Sequence, residues 1–253
     1  MDLHVFGVHG IPDVTRGADV GGLIADTVIR EGYGIDAGDV FVVAQKIVSN
    51  AVGGMVRLDA VEPSLLAAQW AAANGKDERM IEVVLRESRR IVRMDRGILI
   101  AETRHGFVCA NAGVDASNVP PGFVSVLPAD PDASAERIRG GLAQTLGRPL
   151  AVIVSDTFGR AWREGVVNIA LGVAGLQPLL DYRGKTDTHG RPLTSTVIAV
   201  ADELAGAAEL VMRKTALTPV AVVHGAGEWL GQGTGRMLLR EASRDLFRSD
   251  SGV

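Results

Sequence analysis

One cysteine, Cys109, serves the whole 253-residue chain. That excludes an internal disulfide and any multi-cysteine zinc site, and it fits a reducing, cytoplasmic setting. There is no basic surplus: 26 Lys and Arg against 30 Asp and Glu leave a net charge of −4, which argues against nucleic acid as a partner. Long apolar runs are missing too. PLAVIV and TPVAVV fall far short of the roughly 20 residues that span a bilayer, so no membrane partner is expected. The start, MDLHVFGVHGIPDV, carries no cationic segment, extended apolar stretch or small-residue cleavage site, and predicts no secretory signal. Lysine is confined to Lys46, Lys76, Lys185 and Lys214, so each can be weighed singly.

What is present is enough apolar material for a sizeable core. The chain is 47% hydrophobic and 22% charged, which excludes disorder as its state and allows one large domain or two small ones. Period and capping signals predict strands over 3–8, 39–44, 97–102, 107–110, 123–127, 150–154, 166–173 and 220–223. They predict helices over 19–31 with Asp19 as N-cap, 63–73, 77–92, 134–146, 194–213 and 237–247. Strands and helices do not alternate strictly, so a doubly wound sheet fits poorly. The expectation is a mixed α+β fold in two lobes, breaking near Pro120-Pro121 or the Pro128–Pro131 loop, with a tail at 249–253.

Two turns carry candidate chemistry. In Asn111-Ala112-Gly113-Val114-Asp115-Ala116-Ser117-Asn118, Asp115 could hold a hard divalent ion, which wants oxygen donors, and Asn118 could meet a nucleotide. The same composition also describes an ordinary polar turn. In Ser155-Asp156-Thr157-Phe158-Gly159-Arg160, Asp156 follows a buried strand, where α/β proteins place ligands. With the Thr157 hydroxyl it resembles a magnesium-holding pair, and Arg160 and Arg163 could neutralise phosphate or carboxylate. The alternative is an N-cap at Asp156 with solvated arginines. The polar stretch 181–191 offers Lys185 and Arg191 to an anionic substrate, and its His189 reads as a loop histidine.

Other motifs fail. No Gly-x-Gly-x-x-Gly fits 225–235, because Leu230 or Arg236 falls where a glycine is needed. No phosphate loop of the Gly-x-x-x-x-Gly-Lys type and no Gly-x-Ser-x-Gly elbow occurs. Cys109 lies in an apolar strand and reads as a core thiol.

Taken together the segments resemble the coenzyme F420-0:γ-glutamyl ligases. The matching pieces are GIPDV, GDVFVVAQKIVSNAVG, NAGVDASNV, LPADPDASAERIR, VIVSDTFGRAWREGVVNIALGVAG, DYRGKTDTHGRPL, TVIAVADELAGAAELVM and PVAVVHG, spanning about residues 3 to 240. NAGVDASNV and SDTFGRAWREG together are highly specific. The resemblance implies that 1–248 form one ligase domain of the family's own α+β fold, in an intertwined homodimer. It implies a GTP-dependent enzyme that adds L-glutamate to the lactyl tail of F420-0, and a second through a γ-linked amide. Carried over, Asp115 and Asp156 become metal ligands, with Thr157 beside a second metal. Two Mg2+ or Mn2+ ions are implied, with a monovalent cation as a further candidate. Ile11, Pro12, Asp13 and Val14 line the nucleotide pocket, Gln45 and Lys46 occupy the nucleotide-contact dipeptide, and Asn118 contacts the guanine nucleotide.

The sequence departs from the family pattern at three places. Where the family reads V-S-K-A, this chain reads Val48-Ser49-Asn50-Ala51, and Asn50 cannot supply the lysine's charge. Either Lys46 compensates or nucleotide affinity falls. The segment 213–219 has lost the family's glycines, and His9 precedes Gly10 unexpectedly. Arg160 or Arg163 is expected to steady transferring charge or hold the glutamate carboxylate. Glu164 and Asp187 are general-base candidates by location. The alternatives are an amide ligase for another acidic acceptor and a non-catalytic guanine-nucleotide-binding relative.

Overall fold

The run Val40-Phe41-Val42-Val43 has no polar side, and all four residues are fully buried. It forms β2 (Val40–Ala44). With β1 (His4–Val8), β8 (Ala151–Gly159), β9 (Val166–Ala174) and β12 (Val220–His224) it builds a five-stranded sheet in the order β1–β12–β2–β8–β9. β2 and β8 are parallel and the other pairs antiparallel. Strands apolar on both sides belong in a sheet covered on both faces. Here α1 (Val20–Arg30) and α5 (Pro131–Leu146) enclose Val8, Phe41, Val43 and Val152 on one face. On the other, α6 (Val200–Met212) encloses Val40, Val42, Ile153 and Ala221. The computed structural model describes residues 2–247, so the expected tail lies outside the described residues.

After β2 the chain turns into α2 (Gln45–Val52) and then builds a separate apolar cluster. It contains α3 (Leu65–Asn74) and α4 (Glu78–Glu87), and an antiparallel sheet of β4 (Ser88–Asp95), β5 (Ile98–Thr103) and β6 (Val108–Ala110). The pair β3 (Met55–Arg57) and β7 (Phe123–Ser125) completes it. Val84, Leu99, Ala101 and Val124 fill its centre. The mixed α+β expectation holds. Among the described residues no helix is long and apolar enough to cross a membrane.

α5 is held on β9 by very close approach. Asp132 accepts the Val173 N–H at 2.8 Å and the Gly235 N–H at 2.6 Å. A Cβ added at Gly172 would sit 2.2 Å from the Pro131 carbonyl. Gly172→Ala must therefore push the helix off the sheet, at about 3 kcal/mol. A thermal melt should fall by roughly 6–12 °C, and an unchanged melt would mean that the helix can slide freely.

Several boundaries differ from expectation. The helix expected over 77–92 ends at Glu87, where the Ser88 hydroxyl donates to the Val84 carbonyl at 2.6 Å. The remainder is β4, because pairing with β5 brings Arg89 and Arg90 to within 3.5 Å and 3.4 Å of the buried Glu102. The strand expected over 150–154 runs on to Gly159, so Asp156 is no N-cap. The helix expected over 194–213 starts at Val200, since Val197–Ile198 pair as β11 with β10 (Leu180–Asp181). The final helix over 237–247 is absent. Single turns occupy Gly235–Leu238 and Ala242–Arg244, while Leu246 and Phe247 stay exposed. Without an apolar face to bury, so short a helix is not stable.

Candidate active site

The parallel register of β2 and β8 ends at Ala44 and Ser155, one residue before Asp156. The crevice beyond the carboxyl ends of such strands is where sheets of this kind gather ligands. β2 passes directly into α2, whose N-cap, Ala44, offers no side-chain bond. The first backbone N–H groups of α2 are thus left for another acceptor. Gln45 and Lys46 open that helix.

Lys46 reaches across to the Asn111–Asn118 segment. Its Nζ lies 2.8 Å from Asp115 Oδ2, 2.6 Å from the Ser117 carbonyl and 3.0 Å from Ser117 Oγ. Ser117 also grips the carboxylate, its N–H donating to Oδ1 at 2.8 Å and its hydroxyl to Oδ2 at 2.7 Å. The Asp115 backbone is fixed by two bonds to Ser125. Burial raises the Asp115 pKa, but the bonds from Lys46 and Ser117 outweigh it and hold the carboxyl below its ordinary value. The segment is both a tight turn, with Asn111, Ala112 and Asn118 left-handed, and a clasp for one acid.

Asp156 faces the opposite influence. Burial drives its pKa up to about 6. The Thr157 N–H and the charges of Lys214 and Lys46 oppose the rise, while the Asp115 charge adds to it. Next to it the Thr157 hydroxyl donates to Asn168 Oδ1 at 2.7 Å, which leaves its lone pairs free. The buried Ser155 hydroxyl has no partner. Asp115, Asp156 and the Thr157 hydroxyl offer hard oxygen donors, the type that Mg2+ and Mn2+ take. Among the described residues no group of three or more His, Cys, Asp or Glu could hold an ion.

The family model for F420-0:Gamma-glutamyl ligase matches residues 10–225. The chain belongs to this family. It is 45% identical over 251 residues to the coenzyme F420:L-glutamate ligase of Methanothermobacter thermautotrophicus, covering 98% of this chain and 100% of that protein. It is 46% identical over 226 residues to the ligase of the same name from Methanopyrus kandleri, 87% of this chain and 90% of the relative. The Archaeoglobus fulgidus ligase is 38% identical over 249 residues, 98% and 97% of the two chains.

Some of the residues that the γ-glutamyl ligase pattern marks converge and others do not. Lys46 and Asp115 touch, and Asp156 lies within their electrostatic reach. Asn50 lies one turn after Lys46 on α2, the spacing that puts two side chains on one face, and its buried Oδ1 has no partner. Gln45 is buried at 1% exposure, with Oε1 2.8 Å from Ser49 Oγ and Nε2 unpartnered, so only its backbone faces outward chemistry. Ile11, Pro12, Asp13 and Val14 form an irregular loop after β1, anchored by the buried Val14. Asn118 is exposed beside the Asp115 clasp.

Among the described residues, Arg160 and Arg163 make no hydrogen bond or ion pair with Lys46, Asp115 or Asp156. They sit in the exposed turn between β8 and β9, Arg160 four residues and about 13 Å along the strand from Asp156 and Arg163 further on, and Arg160 donates to the Glu164 carbonyl. Asp187 accepts backbone N–H groups of His189 and Arg191, a structural use. Cys109 is buried and its thiol is pushed up to about 12 by that burial, as a core thiol should be. A cavity of about 830 Å³ opens on the other side of α2, along Val48, Ala51 and Val52, and none of these site residues lines it.

Sequence reasoning missed Ser117, Asn168 and Lys214 as site residues. Ser117 stood inside a recognised turn. Asn168 is marked only by being a polar residue inside an apolar strand. Lys214 had the clearest signal: it is one of four lysines and lies in the departing 213–219 segment.

Proposed function

We propose that this chain is a GTP- and divalent-metal-dependent ligase that joins L-glutamate to the lactyl carboxylate of F420-0, and then adds a second glutamate through a γ-linked amide. What carries the reading is the convergence of Lys46, Asp115 and Asp156 at the end of the parallel strands, in a chain matching coenzyme F420:L-glutamate ligases along their length. The same reading makes the protein a cytoplasmic homodimer.

A carboxylate and an amine do not condense usefully in water. The acceptor carboxylate attacks the γ-phosphorus of GTP, giving an acyl phosphate and GDP. The glutamate amine then attacks the acyl carbon, loses a proton and expels phosphate. Catalysis of the first step is mostly positioning and charge neutralisation. Asp115, Asp156 and Thr157 would hold one or two ions, whose chemistry is to neutralise phosphate oxygens and template in-line geometry. The uncapped N-terminus of α2 adds N–H donors for phosphate, and Lys46 and Lys214 add charge. An acceptor carboxylate labelled with oxygen-18 tests the scheme. One labelled oxygen should appear in inorganic phosphate per amide formed, and unlabelled phosphate would contradict it.

Asn50 tests the nucleotide side. It shares a face with Lys46, so Asn50→Lys should add a charge-assisted contact of about 1–2 kcal/mol. GTP should then bind about 5- to 30-fold more tightly in calorimetry. An unchanged dissociation constant would mean that position 50 does not face the phosphates. The Asn50 and 213–219 departures favour one second reading, a ligase for another acidic acceptor.

A further inference from the structure

Lys46 does more in this structure than point at a nucleotide. All three of its N–H groups have acceptors: Asp115 Oδ2, the Ser117 carbonyl and Ser117 Oγ. Its side chain is 18% exposed, so water screens the pair only partly. It rests on the carboxylate oxygen that an ion would need. The carboxylate has holds besides it, because the Ser117 N–H donates to Oδ1 and the Ser117 hydroxyl, itself an acceptor for Lys46, donates to Oδ2. If Lys46 leaves, Asp115 keeps its aim and gains a free lone pair.

We propose that Lys46 is a displaceable counter-ion for the metal site. It holds Asp115 until nucleotide phosphates draw its ammonium away, so that a divalent ion binds tightly only together with the nucleotide. This rests on the reading of Asp115 and Asp156 as ligands. The charges support it: Lys46 and Lys214 balance Asp115 and Asp156. A divalent ion arriving alone would add two positive charges to a balanced cluster and contest Oδ2 with an ammonium. Arriving with phosphates, it meets compensating negative charge. Lys46 also has somewhere to go. It stands in the first turn of α2, beside the uncapped backbone N–H groups, on a flexible four-carbon stem.

Mn2+ binding, followed by the electron paramagnetic resonance of the free ion, tests this without turnover. The wild type should bind Mn2+ weakly alone and at least tenfold more tightly with the non-hydrolysable analogue of GTP. Lys46→Met should bind Mn2+ alone at least tenfold more tightly than the wild type, and lose most of the nucleotide enhancement. Lys46→Gln, which keeps a donor for Oδ2 without the charge, should behave likewise and serves if the methionine variant does not fold. Equal or weaker Mn2+ affinity in the folded variant overturns the proposal. Asp115→Asn separates the two ideas. If it leaves Mn2+ binding with nucleotide intact, Asp115 is no ligand and the underlying reading falls as well.

Discussion

Asp156→Asn is expected to remove turnover and raise the melting temperature together. The activity loss should be about 10³-fold or more, since on the proposed mechanism the substitution takes away a charge that would hold the ion. The stability gain follows from the pKa. Burial lifts the Asp156 carboxyl from the ordinary 3.8 to about 6, against the opposing pull of Lys214 and Lys46. At neutral pH a shift of that size costs about 3 kcal/mol, and partial exposure trims it to about 2 kcal/mol. The raised value means that the cost is present above pH 6 and is relieved as the pH falls from about 6 toward 3.8. The amide removes the cost, so the melt should rise by roughly 4–8 °C at pH 7.5. The gain should shrink as the pH is lowered through 5. A lower melt at pH 7.5 would mean that the carboxylate is stabilised where it stands.

Asp115→Ala should abolish activity to the same degree and move stability the other way. Burial alone would raise the Asp115 pKa, but Lys46 and Ser117 bring it below the ordinary value. Its ionised form therefore stabilises the fold above the usual carboxylate range, and that contribution is lost as the pH falls below it. Alanine leaves the half-buried Lys46 without its anion and the Ser117 N–H without its acceptor, at about 1–3 kcal/mol. The melt should drop by several degrees, and a rise would contradict the clasp. Two aspartates of one site thus carry opposite stability signatures. A purely structural role gives no reason for Asp156 to be kept inside β8 at a cost.

The sheet was legible because β2, the first half of β8 and most of β12 are apolar runs with no polar side, and such runs have few places to go. α2 was not. It has eight residues, no side-chain cap and no preceding loop, so nothing local separates it from the strand before it. β4 was hidden for a related reason. Ile81, Val84, Leu85, Ser88 and Ile91 keep helical spacing across the break, and only pairing with β5 and the buried Glu102 decides against it. At the site, Asp115 and Asp156 could be read one at a time, each in a turn or at a strand end. The contact that joins Lys46 to Asp115 spans 69 positions. No periodicity or capping rule reports on such a distance. The weight of Lys214 on Asp156 is equally non-local, and it comes from a segment that departs from the family pattern.

The most direct test of the central claim is the mass of F420-0, a deazaflavin. The protein is mixed with F420-0, L-glutamate, GTP and Mn2+, the deazaflavin is followed by mass spectrometry and GDP by chromatography. The account predicts a gain of one or two glutamyl units, with one GDP formed for each. An unchanged deazaflavin mass in the presence of bound GTP would contradict it and point to a different acidic acceptor.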